Sequence, residues 1–200
     1  MTRGALAWPA VAALLGACAL LGLAVPRESI DWQPALAATE PWRAFTAVAV
    51  HYSDRHLAGN LAGALLAAVF GVVAQAPPRL ALAWLAAWPL THLALLVEPR
   101  LGHYGGLSGV LHAGAAAVIV WLLVRGAPAQ RWVAGAVGLG LVAKLLAEAP
   151  WGEALRYPAA WDIAVAPIAH ATGVLAGAAC AVLALRIRPA RAGRTATASR

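Results

Sequence analysis

Few polar side chains interrupt the apolar runs of this 200-residue chain, and those that do have the chemistry of acyl transfer. Ser108 lies in Gly106-Leu-Ser108-Gly109, followed by His112. His170 lies in Ala169-His170-Ala-Thr-Gly173-Val-Leu-Ala-Gly177, and His56 and Asn60 are spaced i, i+4. A serine hydroxyl is a weak nucleophile and needs a base within hydrogen-bond reach, a role open to His170. A tetrahedral oxyanion needs donors, and the i, i+4 spacing puts His56 and Asn60 on one helical face to supply them. Gly106 and Gly109 bracket the serine and permit tight turning. A serine at a helix N-terminus also gains free N–H groups and the positive end of the helix dipole. No carboxylate is evident to orient His170, so the expected machinery is a Ser–His dyad. Gly106–Gly109 is not the Gly-x-Ser-x-Gly elbow of soluble hydrolases, because Val110 fills the last position.

Membrane spans are what must position these groups. The chain is 62% apolar and 12% charged, with a mean hydropathy of +0.74, beyond the usual range of a soluble domain. Six apolar runs are legible, at about Ala5–Val25, Leu57–Val73, Leu80–Val97, Leu107–Val124, Trp132–Ala147 and Ile163–Leu185. The first is too long for a signal-peptide core and lacks a clear cleavage site before Pro26, so it counts as a span. The fourth and fifth are short for a full crossing. A helix that starts below the surface, entered by a loop buried in protein, reconciles this.

Charge sets the direction. With the N-terminus inside, the inner segments carry nine arginines, namely Arg3, Arg79, Arg125, Arg131, Arg186, Arg188, Arg191, Arg194 and Arg200. The outer segments carry five: Arg27, Arg43, Arg55, Arg100 and Arg156. The positive-inside rule therefore puts both termini in the cytoplasm. Spans two, four and six then run inward, each with polar groups near its outer end. Counting from Asp54 and Asp162, Asn60 and His170 lie roughly 9 and 12 Å deep. The fold class is all-α: a six-transmembrane-helix bundle over residues 1–186, with 187–200 a basic, disordered cytoplasmic tail. That arginine cluster suits anionic lipid head groups and topology rather than nucleic acid.

The remaining polar and aromatic residues have plainer readings. Trp8, Trp121, Trp132 and Trp161 near span ends read as interfacial anchors. Cys18 and Cys180 read as small buried hydrophobes. Gly173 and Gly177 suit close helix packing, which would bring span six against span four and His170 to Ser108. Lys144 and Glu148 form an i, i+4 pair that either snorkels to the outer interface or holds span five near a substrate entrance. No His-x-x-x-His occurs within a span, and neither a metal nor another cofactor is expected.

Together these motifs resemble the rhomboid family of intramembrane serine proteases. The resemblance rests on Trp42-Arg43, His56–Asn60, Gly106–Gly109 and Ala169–Gly177, and covers roughly residues 40–180. It implies that Ser108 is the nucleophile and His170 the base. It further implies an oxyanion hole of His56, Asn60 and the Ser108 backbone N–H. His51 matches a common family histidine and is expected to support the first loop. His112 either packs on the catalytic histidine or tunes it, whereas His92 and His103 are expected to be non-catalytic.

Finer features are similar to the rhombosortase subgroup: a compact chain, the run Tyr104–His112, and Lys144-Leu-Leu-Ala-Glu148. Ala113 departs from the Gly often found there. This resemblance implies a bacterial inner-membrane enzyme whose site opens to the periplasm. Its substrates would be membrane-anchored secreted proteins ending in Gly-Gly, a transmembrane helix and a basic tail. The rival readings are an inactive rhomboid-like protein that binds transmembrane helices, and a small His-containing transporter.

Overall fold

The computed structural model describes residues 6–187. The expected start of the first span at Ala5, Arg3, and the tail from Arg188 lie outside the described residues. Among these residues seven α-helices follow in order: α1 (Ala7–Leu21), α2 (Arg43–Thr46), α3 (Asp54–Val73), α4 (Pro78–Leu93), α5 (Ser108–Arg125), α6 (Pro128–Glu148) and α7 (Pro167–Arg186). Among the described residues only isolated bridges occur, Trp32 with Tyr104 and Arg156 with Val165, and no strand.

Helices α1 (with the 3₁₀ turn that extends it), α3, α4 (likewise extended), α5 and α7 are long and apolar enough to cross a membrane. Helix α6 is as long, at 21 residues, but carries Arg131, Lys144 and Glu148 and does not reach that measure. Outward faces are apolar too, with Leu65, Leu66, Val69 and Val73 exposed on α3 and Leu139 and Leu146 on α6. Such faces suit lipid rather than water.

Local sequence explains the helix starts. Ser53 caps α3, its Oγ accepting from the His56 N–H at 3.1 Å, which begins the helix three residues before the expected Leu57. Proline stands at the first helical position of α4, α6 and α7. Gln130 reaches back to accept from the Ala127 N–H at 2.8 Å. Helix α7 begins at Pro167 and not near Ile163, so His170 sits in its first turn and the depth counted from Asp162 does not apply. The chain between them is non-helical and pairs Val165 with Arg156.

Helices α5 and α7 pack most intimately. A Cβ at Gly173 would fall on the Gly109 carbonyl, and one at Gly177 on the Ala113 carbonyl. The expected close approach of the fourth and sixth spans is therefore present, with backbone against backbone. Trp8 is not an interfacial anchor. It is buried, stacks on Trp84 with ring centroids 4.5 Å apart and donates to the Ala67 carbonyl at 2.8 Å. Gly71 supplies the space for its ring. Trp132, by contrast, is 83% exposed. Cys180 is buried, Cys18 half-buried, and both are free.

Residues 26–53 fold over one end of the bundle around Arg43. Its Nη1 donates to the Glu28 and Asp31 carbonyls, both at 2.9 Å, and to Asp31 Oδ1 at 3.1 Å, while Nε meets Glu40. Asp31 also pairs with His103 at 2.6 Å. Trp32 and Tyr104 exchange backbone bonds at 2.7 and 2.8 Å. This ties the first loop to the segment that leads into Ser108. In that segment Leu101, Tyr104, Gly105, Gly106 and Leu107 are buried, so α5 is entered by a loop enclosed in protein.

Candidate active site

Ser108 is the first residue of α5 and His170 lies one turn into α7. The Gly109–Gly173 approach brings these two helix starts together and leaves Ser108 Oγ 3.0 Å from His170 Nε2. That is hydrogen-bond distance for a nucleophile and its base. His112, one turn below Ser108, stacks on the His170 ring with centroids 4.3 Å apart and planes 16° apart. Its Nδ1 donates to the Ser108 carbonyl at 2.7 Å, which fixes the ring against that face. His112 thus packs on the His170 ring.

Across the site stand His56 and Asn60 of α3, both buried on one face as their spacing requires. The Tyr52 N–H points at His56 Nδ1 from 3.4 Å, so the ring hydrogen belongs on Nε2. His56 Nε2 lies beside Gly106, where even a Cβ would come within 3.0 Å of it. Gly106 has a φ of +141°, which favours glycine, and its N–H donates to the Ala47 carbonyl at 2.9 Å. Asn60 Nδ2 donates to His51 Nε2 at 3.0 Å, and His51 Nδ1 faces the Ala49 carbonyl at 3.4 Å. His51 takes one amide hydrogen of Asn60, and among the described residues the amide has a second hydrogen left to donate. His51, expected to support the first loop, lies against the Ala49 carbonyl and accepts from the Asn60 amide.

A carboxylate, not expected from the sequence, completes the arrangement. Glu148 at the end of α6 places Oε2 2.7 Å from His170 Nδ1. Lys144 pairs with the other oxygen of Glu148 at 2.6 Å and lies 3.2 Å from the same Nδ1. The sequence places no carboxylate beside His170, whereas the fold brings Glu148 within hydrogen-bond distance of its Nδ1. Sequence spacing links Glu148 only to Lys144, and the approach of α6 to the start of α7 has no local signal.

These side chains line one cavity of about 1400 Å³. Gly59, Gly63, Leu66 and Phe70 of α3 form one wall and Val137 and Leu141 of α6 another, with residues 155–167 across the end. Trp161 covers Gly59, and Asp162 accepts from Ser53 Oγ at 2.9 Å. His92 lies elsewhere, buried with Nδ1 on the Ala44 carbonyl at 2.6 Å. The His103 ring pairs with Asp31. Among the described residues, no three His, Cys, Asp or Glu side chains converge as a metal site would require.

A helical bundle with five helices of membrane-spanning length defines a class, the multi-pass membrane proteins, and here a serine and a histidine meet where two of its helices start. The Rhomboid domain family profile matches residues 38–187, and the chain belongs to that family, whose members are intramembrane serine proteases. A search of curated proteins finds no match to the chain.

Proposed function

We propose that this rhomboid protease uses Ser108 as nucleophile and His170 as general base to cut membrane-anchored proteins at the top of their transmembrane helix. The observation that carries this reading is the 3.0 Å contact between Ser108 Oγ and His170 Nε2, inside the cavity that His56 and Asn60 also line. In acylation His170 Nε2 takes the Ser108 hydroxyl proton as Oγ attacks the scissile carbonyl. The carbonyl oxygen becomes an oxyanion, met by His56 Nε2–H, the free Asn60 amide hydrogen and the Ser108 N–H. Collapse expels the amine, which takes the proton from His170, and leaves an acyl ester on Ser108. Water, activated by His170 in turn, hydrolyses the ester.

The substrate reading is of the rhombosortase kind: secreted bacterial proteins with a C-terminal Gly-Gly, an apolar helix and a basic tail. Its support is the run Tyr104–His112 and the Lys144–Glu148 segment. A regular helix hides its carbonyls, and each glycine destabilises a helix by roughly 1 kcal/mol relative to Ala, so a Gly pair eases unwinding into the site. The arginine asymmetry favours cytoplasmic termini, which turns the cavity toward the periplasm of the inner membrane. Residues 1–186 then form the membrane domain. Mapping the new C-terminus of a cleaved substrate by mass spectrometry, while moving the Gly pair along its helix, tests both points. The expected cut follows the glycines at the periplasmic end. Cleavage at the cytoplasmic end, or indifference to the glycines, contradicts this reading.

A further inference from the structure

Both ring nitrogens of His170 are engaged. Nε2 faces Ser108 Oγ at 3.0 Å and Nδ1 faces Glu148 Oε2 at 2.7 Å, with Lys144 Nζ 3.2 Å from the same Nδ1. The two contacts at Nδ1 demand opposite tautomers. An ammonium only donates, so a bond from Lys144 would need a bare Nδ1 and put the hydrogen on Nε2, facing the serine. A carboxylate only accepts, so the bond to Glu148 puts the hydrogen on Nδ1 and leaves the Nε2 lone pair for the serine proton. The carboxylate contact is the shorter, and Lys144 already has a partner at 2.6 Å in Glu148 Oε1. The second tautomer prevails. His112, stacked on the ring from α5, holds the imidazole in this plane.

We propose that Glu148 and Lys144 are positioning residues for the proteolytic reaction: Glu148 fixes His170 in the tautomer that can accept the Ser108 proton, and Lys144 fixes the carboxylate. The proposal rests on Ser108 and His170 being the catalytic pair. In acylation the proton moves from Ser108 Oγ to His170 Nε2 and then to the departing amine. The Nδ1 hydrogen stays donated to Glu148 throughout, and the carboxylate faces the imidazolium without taking a proton. Lys144 completes a chain from ammonium to carboxylate to imidazole to hydroxyl, drawn from α6, α7 and α5.

The chain makes an uncommon demand on its variants. In Glu148→Gln, Lys144 draws the amide oxygen toward itself and turns the NH₂ toward Nδ1. That group donates, so the hydrogen is forced onto Nε2 and the base is lost. In the double variant Lys144→Met, Glu148→Gln, nothing claims the oxygen, and the amide is free to turn it to Nδ1.

The experiment is the rate of fluorophosphonate labelling of the purified full chain in detergent micelles, read as kinact and KI. Wild type, Ser108→Ala, Glu148→Gln, Lys144→Met and the double variant are compared. Loss of the correct tautomer costs a serine protease up to about 10⁴-fold in kcat. For this partly exposed carboxylate the expected loss of kinact in Glu148→Gln is on the order of 10²-fold, with KI nearly unchanged. The double variant is expected to regain about tenfold over Glu148→Gln. A pair that only braces α6 predicts no such recovery, because the double variant removes more of it. Glu148→Gln within about threefold of wild type in kinact, or a double variant no faster than the single, overturns the proposal. If Glu148→Gln does not fold, Lys144→Met decides: unchanged labelling overturns the proposal, and a loss of about tenfold in kinact alone supports it. Labelling of Ser108→Ala at the wild-type rate instead overturns the catalytic pair itself.

Discussion

The α-carbon of Gly173 rests against the carbonyl of Gly109, leaving no space for a side chain between them. Gly109 follows Ser108 and Gly173 lies three residues past His170, so this approach sets the distance between the Ser108 hydroxyl and the His170 ring.

Gly173→Ala should therefore lower both stability and activity. A methyl group forced into a packed backbone contact costs on the order of 1–3 kcal/mol and pushes the helices apart. Thermal unfolding in detergent and probe labelling together measure the two effects. Full labelling in a variant of wild-type stability would show that the approach is not required.

Asn60→Ala tests the oxyanion face. Loss of one preorganised donor costs on the order of 10²–10³ in kcat, with a smaller change in KM. The His51 bond aims the Asn60 amide, so a smaller loss in the same direction is expected for His51→Ala. If kcat for Asn60→Ala stays within about threefold of wild type, Asn60 serves helix packing alone.

The two helical positions that carry Ser108 and His170 were legible because costly polar residues in apolar runs stand out, and their neighbouring glycines announce close packing. Helix α5 begins within one residue of the expected Leu107. What the sequence hid depends on distant contacts. Lys144 and Glu148 satisfy each other at i, i+4, so nothing local points to His170 as a third partner. Trp8 lies at a span end like an anchor, yet the space at Gly71 and the ring of Trp84 draw it inside. Helix α7 starts later than the apolar run because residues 163–166 lead up to Pro167 and Val165 pairs with Arg156 in place of helix.

Arg43 offers a stability test away from the cavity. Its side chain and that of Asp31 are nearly buried, at 7% and 4% exposure. Removing one partner of a buried pair leaves an uncompensated charge and costs about 3 kcal/mol or more. Arg43→Ala should unfold at lower temperature than wild type in the same detergent. Trp42→Ala, at a side chain 51% exposed, should change little. Equal melting of wild type and Arg43→Ala would contradict the clamp.

His51 precedes α3, and burial pulls its imidazole below the ordinary histidine value, against the bond to Ala49. The folded state thus binds fewer protons than the unfolded one as pH falls through about 6.5. Stability present above that pH should be lost progressively on acidification, and less so in His51→Gln. Parallel melting curves for the two proteins between about pH 7 and 5 would contradict it.

The most direct measurement is the site of covalent modification by a fluorophosphonate probe. The wild-type protein, labelled in micelles and digested, should carry the adduct on Ser108 by mass spectrometry, and Ser108→Ala should remain unlabelled while melting like the wild type. An adduct on another residue, or equal labelling of both proteins, would contradict Ser108 as the nucleophile.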